Sequence, residues 1–157
     1  MQKMMWILWV MGLSISTSFG QTKAVISSKK SDQLLIEWTR LNVDKKTNTV
    51  EISFRLTNLF PESRELKLNF FGSQLVDQKG EAHLFSTIRL GRVNVLLSDR
   101  QNYMHYLLPP DSPVEGKMQL VGYKGDTKNS TWKIVFEDRV EPGRFIEVEL
   151  PGPSKSN

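Results

Sequence analysis

From Leu34 onward the chain alternates apolar and polar residues with the period of two that a half-buried strand requires, and no long stretch has the period of about 3.6 of an amphipathic helix. In Thr49–Asn58 the apolar residues Val50, Ile52, Phe54 and Leu56 point to one face, and Glu51, Ser53, Arg55 and Thr57 point to the other. Residues 34–41 repeat the pattern with Leu34, Ile36 and Trp38, and the polar stretch 44–48 between the two segments predicts a β-hairpin. Pro61 has no amide donor, so a third strand is expected to start after it, at Arg64, with Leu66, Leu68 and Phe70 inward. Segments 73–77 and 81–90 predict another hairpin across Gln78, Lys79 and Gly80, with Leu84, Ser86, Ile88 and Leu90 inward and Gly80 free to take a positive φ. Residues 91–102 are the least regular. Strand character returns over 104–108, after which Pro109, Pro110 and Pro113 force an extended connection suited to a crossover between sheets. Segments 114–123 and 131–136, joined by a polar loop, read as a further hairpin, and 145–150 closes the series with Ile146, Val148 and Leu150 on one face.

About seven to nine short strands at this spacing predict an all-β domain over residues 34–150, an antiparallel immunoglobulin-like β-sandwich. A small β-barrel would give the same linear pattern. Residues 21–33 are expected to be a flexible N-terminal segment and 151–157 a disordered tail. The first twenty residues have a different character. Lys3 precedes an apolar run centred on Trp6, Ile7, Leu8, Trp9 and Val10, and small residues follow, with Ser18 and Gly20 placed for cleavage before Gln21. That reads as a signal peptide, and it predicts an exported protein, periplasmic or extracellular, with no membrane span in the mature chain; the apolar run is about half the length a transmembrane helix needs.

Composition narrows the chemistry. The chain has no cysteine, which excludes disulfides, thiolate metal sites, a cysteine nucleophile and a lipid-modified N-terminal cysteine. Its 21 Lys and Arg against 17 Asp and Glu leave a net charge of +4. The basic residues are scattered among acids, so no phosphate-tracking stripe forms and no nucleic-acid partner is expected; an anionic surface polysaccharide suits the mild excess better.

Several phrases resemble a group of exported bacterial immunoglobulin-like domains of unknown function. They are Phe54-Arg55-Leu56-Thr57-Asn58, then Ser73-Gln74-Leu75-Val76-Asp77 with Gly80, then Ile88-Arg89-Leu90-Gly91, and the proline-rich run from Leu107 to Met118. The resemblance spans roughly residues 36–136 and consists of turn grammar, so it implies a sandwich fold and no particular activity. Glu81 departs from the pattern, standing where an Asn is expected after the turn glycine.

Candidate chemistry is sparse. The two histidines, His83 and His105, lie near no nucleophile elbow, and each reads as an ordinary strand residue, His83 pointing outward. Met104, His105 and Met118 supply soft ligands for a metal carrier centred on His105, but neighbours on a strand face opposite ways, which separates Met104 from His105. Asp77 with Glu81, Asp111, Asp126, and Asp138 with Glu137 lie in turns without the dense spacing of a calcium loop, and read as turn formers. Among the aromatics, Trp38 and Trp132 fall in phase with the core, while Phe71 and Tyr123 fall out of phase and are candidates for an exposed patch. The candidate binding surface is therefore Phe71, Tyr123, Tyr103 and His105. The expected function is a non-enzymatic binding or assembly domain that needs no cofactor and recognises a protein or a cell-envelope polymer. A carbohydrate-binding platform is the nearest alternative, and strand addition at an exposed edge is a further one.

Overall fold

The computed structural model describes residues 27–152. The expected export signal at residues 1–20 and the end of the expected tail lie outside them. The described chain forms twelve strands: β1 (Ser27–Ser31), β2 (Leu34–Asp44), β3 (Thr49–Asn58), β4 (Arg64–Asn69), β5 (Gln74–Val76), β6 (Ala82–Leu84), β7 (Thr87–Leu90), β8 (Val93–Leu96), β9 (Tyr103–Leu108), β10 (Val114–Leu120), β11 (Thr131–Glu137) and β12 (Phe145–Pro151). They make two antiparallel sheets packed as a β-sandwich. The first runs β1-β2-β3-β10-β7-β8; the second runs β6-β5-β11-β4-β9, with β12 on β11. Among the described residues no helix is long and apolar enough to cross a membrane.

Alternation builds the interior. Leu34, Ile36, Trp38, Val50, Ile52, Phe54 and Leu56 from the first sheet meet Leu66, Leu68, Phe70, Trp132, Ile134, Phe136, Val148 and Leu150 from the second, all nearly or fully buried. Trp38 lies edge-on to Phe54 at 5.6 Å and tilted against Trp132 at 6.3 Å, joining the two sheets at the centre. Gly116 lies opposite Phe54, and a Cβ there would sit 2.3 Å from the ring, so the close approach of β10 requires glycine. In the second sheet β4 and β5 lie end to end along one edge of β11. Leu68 faces Phe136 and Gln74 faces Lys133, so three residues are extruded between them, in the bend holding Gly72.

Several expectations need correction. The strand count is twelve because short strands flank the long ones. Ser27–Ser31, expected to be loose, pairs with β2 through a two-residue turn in which Asp32 (φ 46°) and Gln33 (φ 54°) are both left-handed. Pro151 belongs to β12, and the Gly152 amide donates to the Ser130 carbonyl at 2.7 Å, so the expected tail begins as ordered chain. The irregular stretch contains β8 and a short 3-10 turn, Leu97–Asp99.

The hairpin through residues 73–90 stops at Leu84, and the chain then crosses to the other sheet, where β7 and β8 pair. The inward phase is therefore His83 and Phe85, and Leu84 is exposed; Phe85 stacks on Trp132 at 5.7 Å with planes 13° apart. Strands β10 and β11 do not form a hairpin either. β10 sits between β3 and β7, and its following loop bridges the sheets, tied to the first by the Tyr123 amide on the Asn48 carbonyl. Alternation reports which face a residue takes and not which strand lies beside it. The expected crossover at Pro109–Pro113 is present between β9 and β10, and Asn58 anchors its neighbourhood, receiving the Phe60 amide at 3.1 Å and donating to the Glu62 carbonyl at 2.8 Å.

Candidate functional site

The outer face of the first sheet is closed by pairs between neighbouring strands. Glu51 takes Lys117 at 2.9 Å and Gln119 at 2.7 Å, which together hold its carboxyl below the usual range, and Glu37 pairs with Arg55. The outer face of the second sheet is different. With Leu66 and Leu68 inward, β4 turns Glu65, Lys67 and Asn69 to solvent, and β9, with Met104 and Leu108 inward, turns Tyr103, His105 and Leu107 outward. On β12 the same logic places Phe145 outward, opposite Glu137 of β11.

Tyr103 and Phe145 meet across this face, their ring centroids 5.7 Å apart and their planes within 11°. The Lys67 ammonium lies 4.6 Å from the Tyr103 centroid and 5.7 Å from that of Phe145, a cation held against two ring systems. Glu137 fixes Lys67 at 3.1 Å and also accepts the Gly143 amide at 2.8 Å. The Gly143 amide first, and Lys67 second, hold the Glu137 carboxyl below its ordinary value, so Glu137 is a carboxylate at neutral pH. Beside it His105 Nδ1 meets Glu65 Oε1 at 2.7 Å, with both side chains more than half exposed, and Leu107 on the same strand is 66% exposed. A cleft of about 330 Å³ adjoins these groups, walled by Phe60, Arg64, Glu65, Lys67, Glu137 and Arg139. The Arg139 guanidinium sits 4.1 Å over the Phe60 ring. The arrangement places a half-buried aromatic pair beside fixed charges of both signs.

The four residues expected to form a binding surface do not come together. Tyr103 and His105 share the face just described. Phe71 is half-buried and packs edge-on against Phe70 at 5.6 Å, and Tyr123 packs against His83 at 5.0 Å near the β5–β6 turn. Met104 and Met118 are fully buried in the core, on the opposite side of the sheet from His105, so the three do not assemble as ligands. Asp44, Asp126 and Asp138 accept amides of their own turns, as turn formers do.

Lys67 and Phe145 are members of the outer face that the sequence reading passed over. Their signal was phase: Phe145 precedes the inward series Ile146, Val148 and Leu150 by one residue, and Lys67 separates inward Leu66 and Leu68. His83 shares the inward side of its hairpin with Leu75, at the rim, in place of the outward position expected of it. With Asp77 and Glu81 it forms a compact group of potential metal ligands.

No family model matches the chain, and no curated protein matches its sequence. Among solved structures it is similar to the yjhA protein from Bacillus subtilis, at 14% identity and a TM-score of 0.48, over 82% of this chain and 98% of that one.

Proposed function

We propose that this chain is an exported, non-enzymatic binding domain that recognises a protein or a cell-envelope polymer through the outer face of its second sheet. The observation that carries this reading is the Tyr103–Phe145 pair with Lys67 lodged against it. Aromatic rings on a solvent-facing sheet supply large contact area at little conformational cost, which suits recognition. Export rests on the charged, apolar and small-residue succession of residues 1–20.

The test is affinity capture with residues 21–157 from a cell-envelope extract, followed by titration of the captured protein or glycan against Tyr103→Ala and Phe145→Ala. Each variant is expected to weaken binding about tenfold or more, as central aromatic contacts do. Failure to enrich any envelope component, or variants that bind as the parent does, would overturn the reading.

A further inference from the structure

We propose that Asp77, Glu81 and His83 form a binding site for a borderline transition-metal dication of the Zn²⁺ type, on a part of the molecule separate from the aromatic face. The three residues flank the β5–β6 turn, and one ligand atom from each lies within 4.8 Å of the others. His83 Nε2 and Asp77 Oδ2 are 3.2 Å apart. They share a hydrogen bond at the long end of its ordinary range. Two ligands bonded at about 2.1 Å to one metal, with a bond angle between 90° and 110°, sit about 3.0–3.4 Å apart, which matches the observed span.

The pair is also pre-arranged. Asp77 Oδ1 accepts the Lys79 amide at 2.8 Å and the Glu81 amide at 3.0 Å, which leaves Oδ2 directed at the imidazole. The edge-to-face contact with Tyr123, at 5.0 Å and 73°, fixes the ring of His83. Tyr123 is itself seated over Gly125, where a Cβ would fall 2.4 Å from its ring. Outer contacts of this kind orient first ligands in metal sites. Partial burial pushes the Asp77 carboxyl up, but the Glu81 amide, His83 and the Lys79 amide outweigh it and leave a carboxylate at neutral pH.

The side chains of Asp77 and His83 are sheltered, at 13% and 30% exposure, while Glu81 is exposed and can swing in as the third ligand. Water would complete the shell. An imidazole with two carboxylates selects zinc-like ions over calcium or magnesium, which prefer all-oxygen shells. Lys79 and Lys124 line the same cleft and oppose non-specific cation binding, so the imidazole makes the selection.

The experiment is calorimetric titration of residues 21–157 with Zn²⁺ at pH 7.5, with Co²⁺ absorption in the visible as a second readout. Expected are one equivalent bound at micromolar level and a Co²⁺ spectrum that shifts on addition. Glu81→Gln, a surface change that leaves the fold intact, should weaken uptake several-fold, and His83→Ala about tenfold or more. No one-to-one uptake at about 100 μM protein, or His83→Ala and Glu81→Gln both binding as the parent does, would overturn the proposal.

Discussion

Replacing Arg64 by alanine should be the most damaging single change at a charged position. The Arg64 side chain is 3% exposed and that of its partner Asp32 11%, with Nη2 and Oδ2 at 2.9 Å. Nη1 also donates to the Asp32 carbonyl at 2.8 Å, so one guanidinium grips both ends of a residue held at a left-handed φ of 46°. Nε, also buried, has no hydrogen-bond partner among the described residues, a cost that alanine would relieve. Removing one member of a buried pair costs about 3–5 kcal/mol. The Arg139 amide still donates to Asp32 Oδ2 at 3.1 Å in the variant, which puts the loss near the lower end, about 3 kcal/mol. For a domain of this size that corresponds to a fall in Tm of about 10 °C. Differential scanning calorimetry of the parent, Arg64→Ala, Asp32→Asn and the double variant supplies the cycle. A coupling of about 1–3 kcal/mol is expected. A fall of less than about 3 °C for Arg64→Ala, or strict additivity of the two changes, would show that the pair behaves as an ordinary surface contact and refute the reasoning.

Two further outcomes follow from the packing and the charges. Phe85→Ala should cost about 3–5 kcal/mol in chemical denaturation whereas Leu84→Ala should cost under about 1 kcal/mol; the reverse order would mean that the inward phase of this crossing segment is Leu84. Glu51, Glu137, Asp44, Asp77 and Asp138 all have folded pKa values below their ordinary 4.5 or 3.8, so their contribution is complete above those values and is lost as pH falls through the depressed ones. Tm should stay level from pH 7 to about 5 and drop below about pH 4.5, and a decline already under way near pH 6 would contradict it.

The alternation of Val50, Ile52, Phe54 and Leu56, and of Leu66, Leu68 and Phe70, was legible because each stretch keeps one phase on one sheet from end to end. Legibility ends where the chain changes sheets. At Phe85 and Ser86 the phase slips as β6 gives way to β7, and a reading that carries one phase through places Leu84 inside. β1 was invisible for another reason: SSKKS has no apolar residue to mark a face, and the strand is held by backbone pairing and by Arg64 gripping the following turn. At the candidate site, Tyr103 and His105 could be read from β9 alone. Phe145 and Lys67 could not be joined to them, because the neighbours are set by the order β12-β11-β4-β9, which no local pattern encodes. The likeness carried by Asn58 and Asp77 proved to be turn chemistry, each side chain accepting amides of its own bend.

The lysine pair in β1 has a consequence for how copies of this molecule meet. Lys29 and Lys30 lie on β1, which ends the strand order of the first sheet among the described residues. A strand arriving from a neighbouring copy would have to strip hydration from both ammonium groups before it could join, so polymerisation along that strand is discouraged. A protease cut after Ser31 would loosen this guard and bare the backbone of β2 over the Leu34, Ile36 and Trp38 row, an edge open to pairing with another chain.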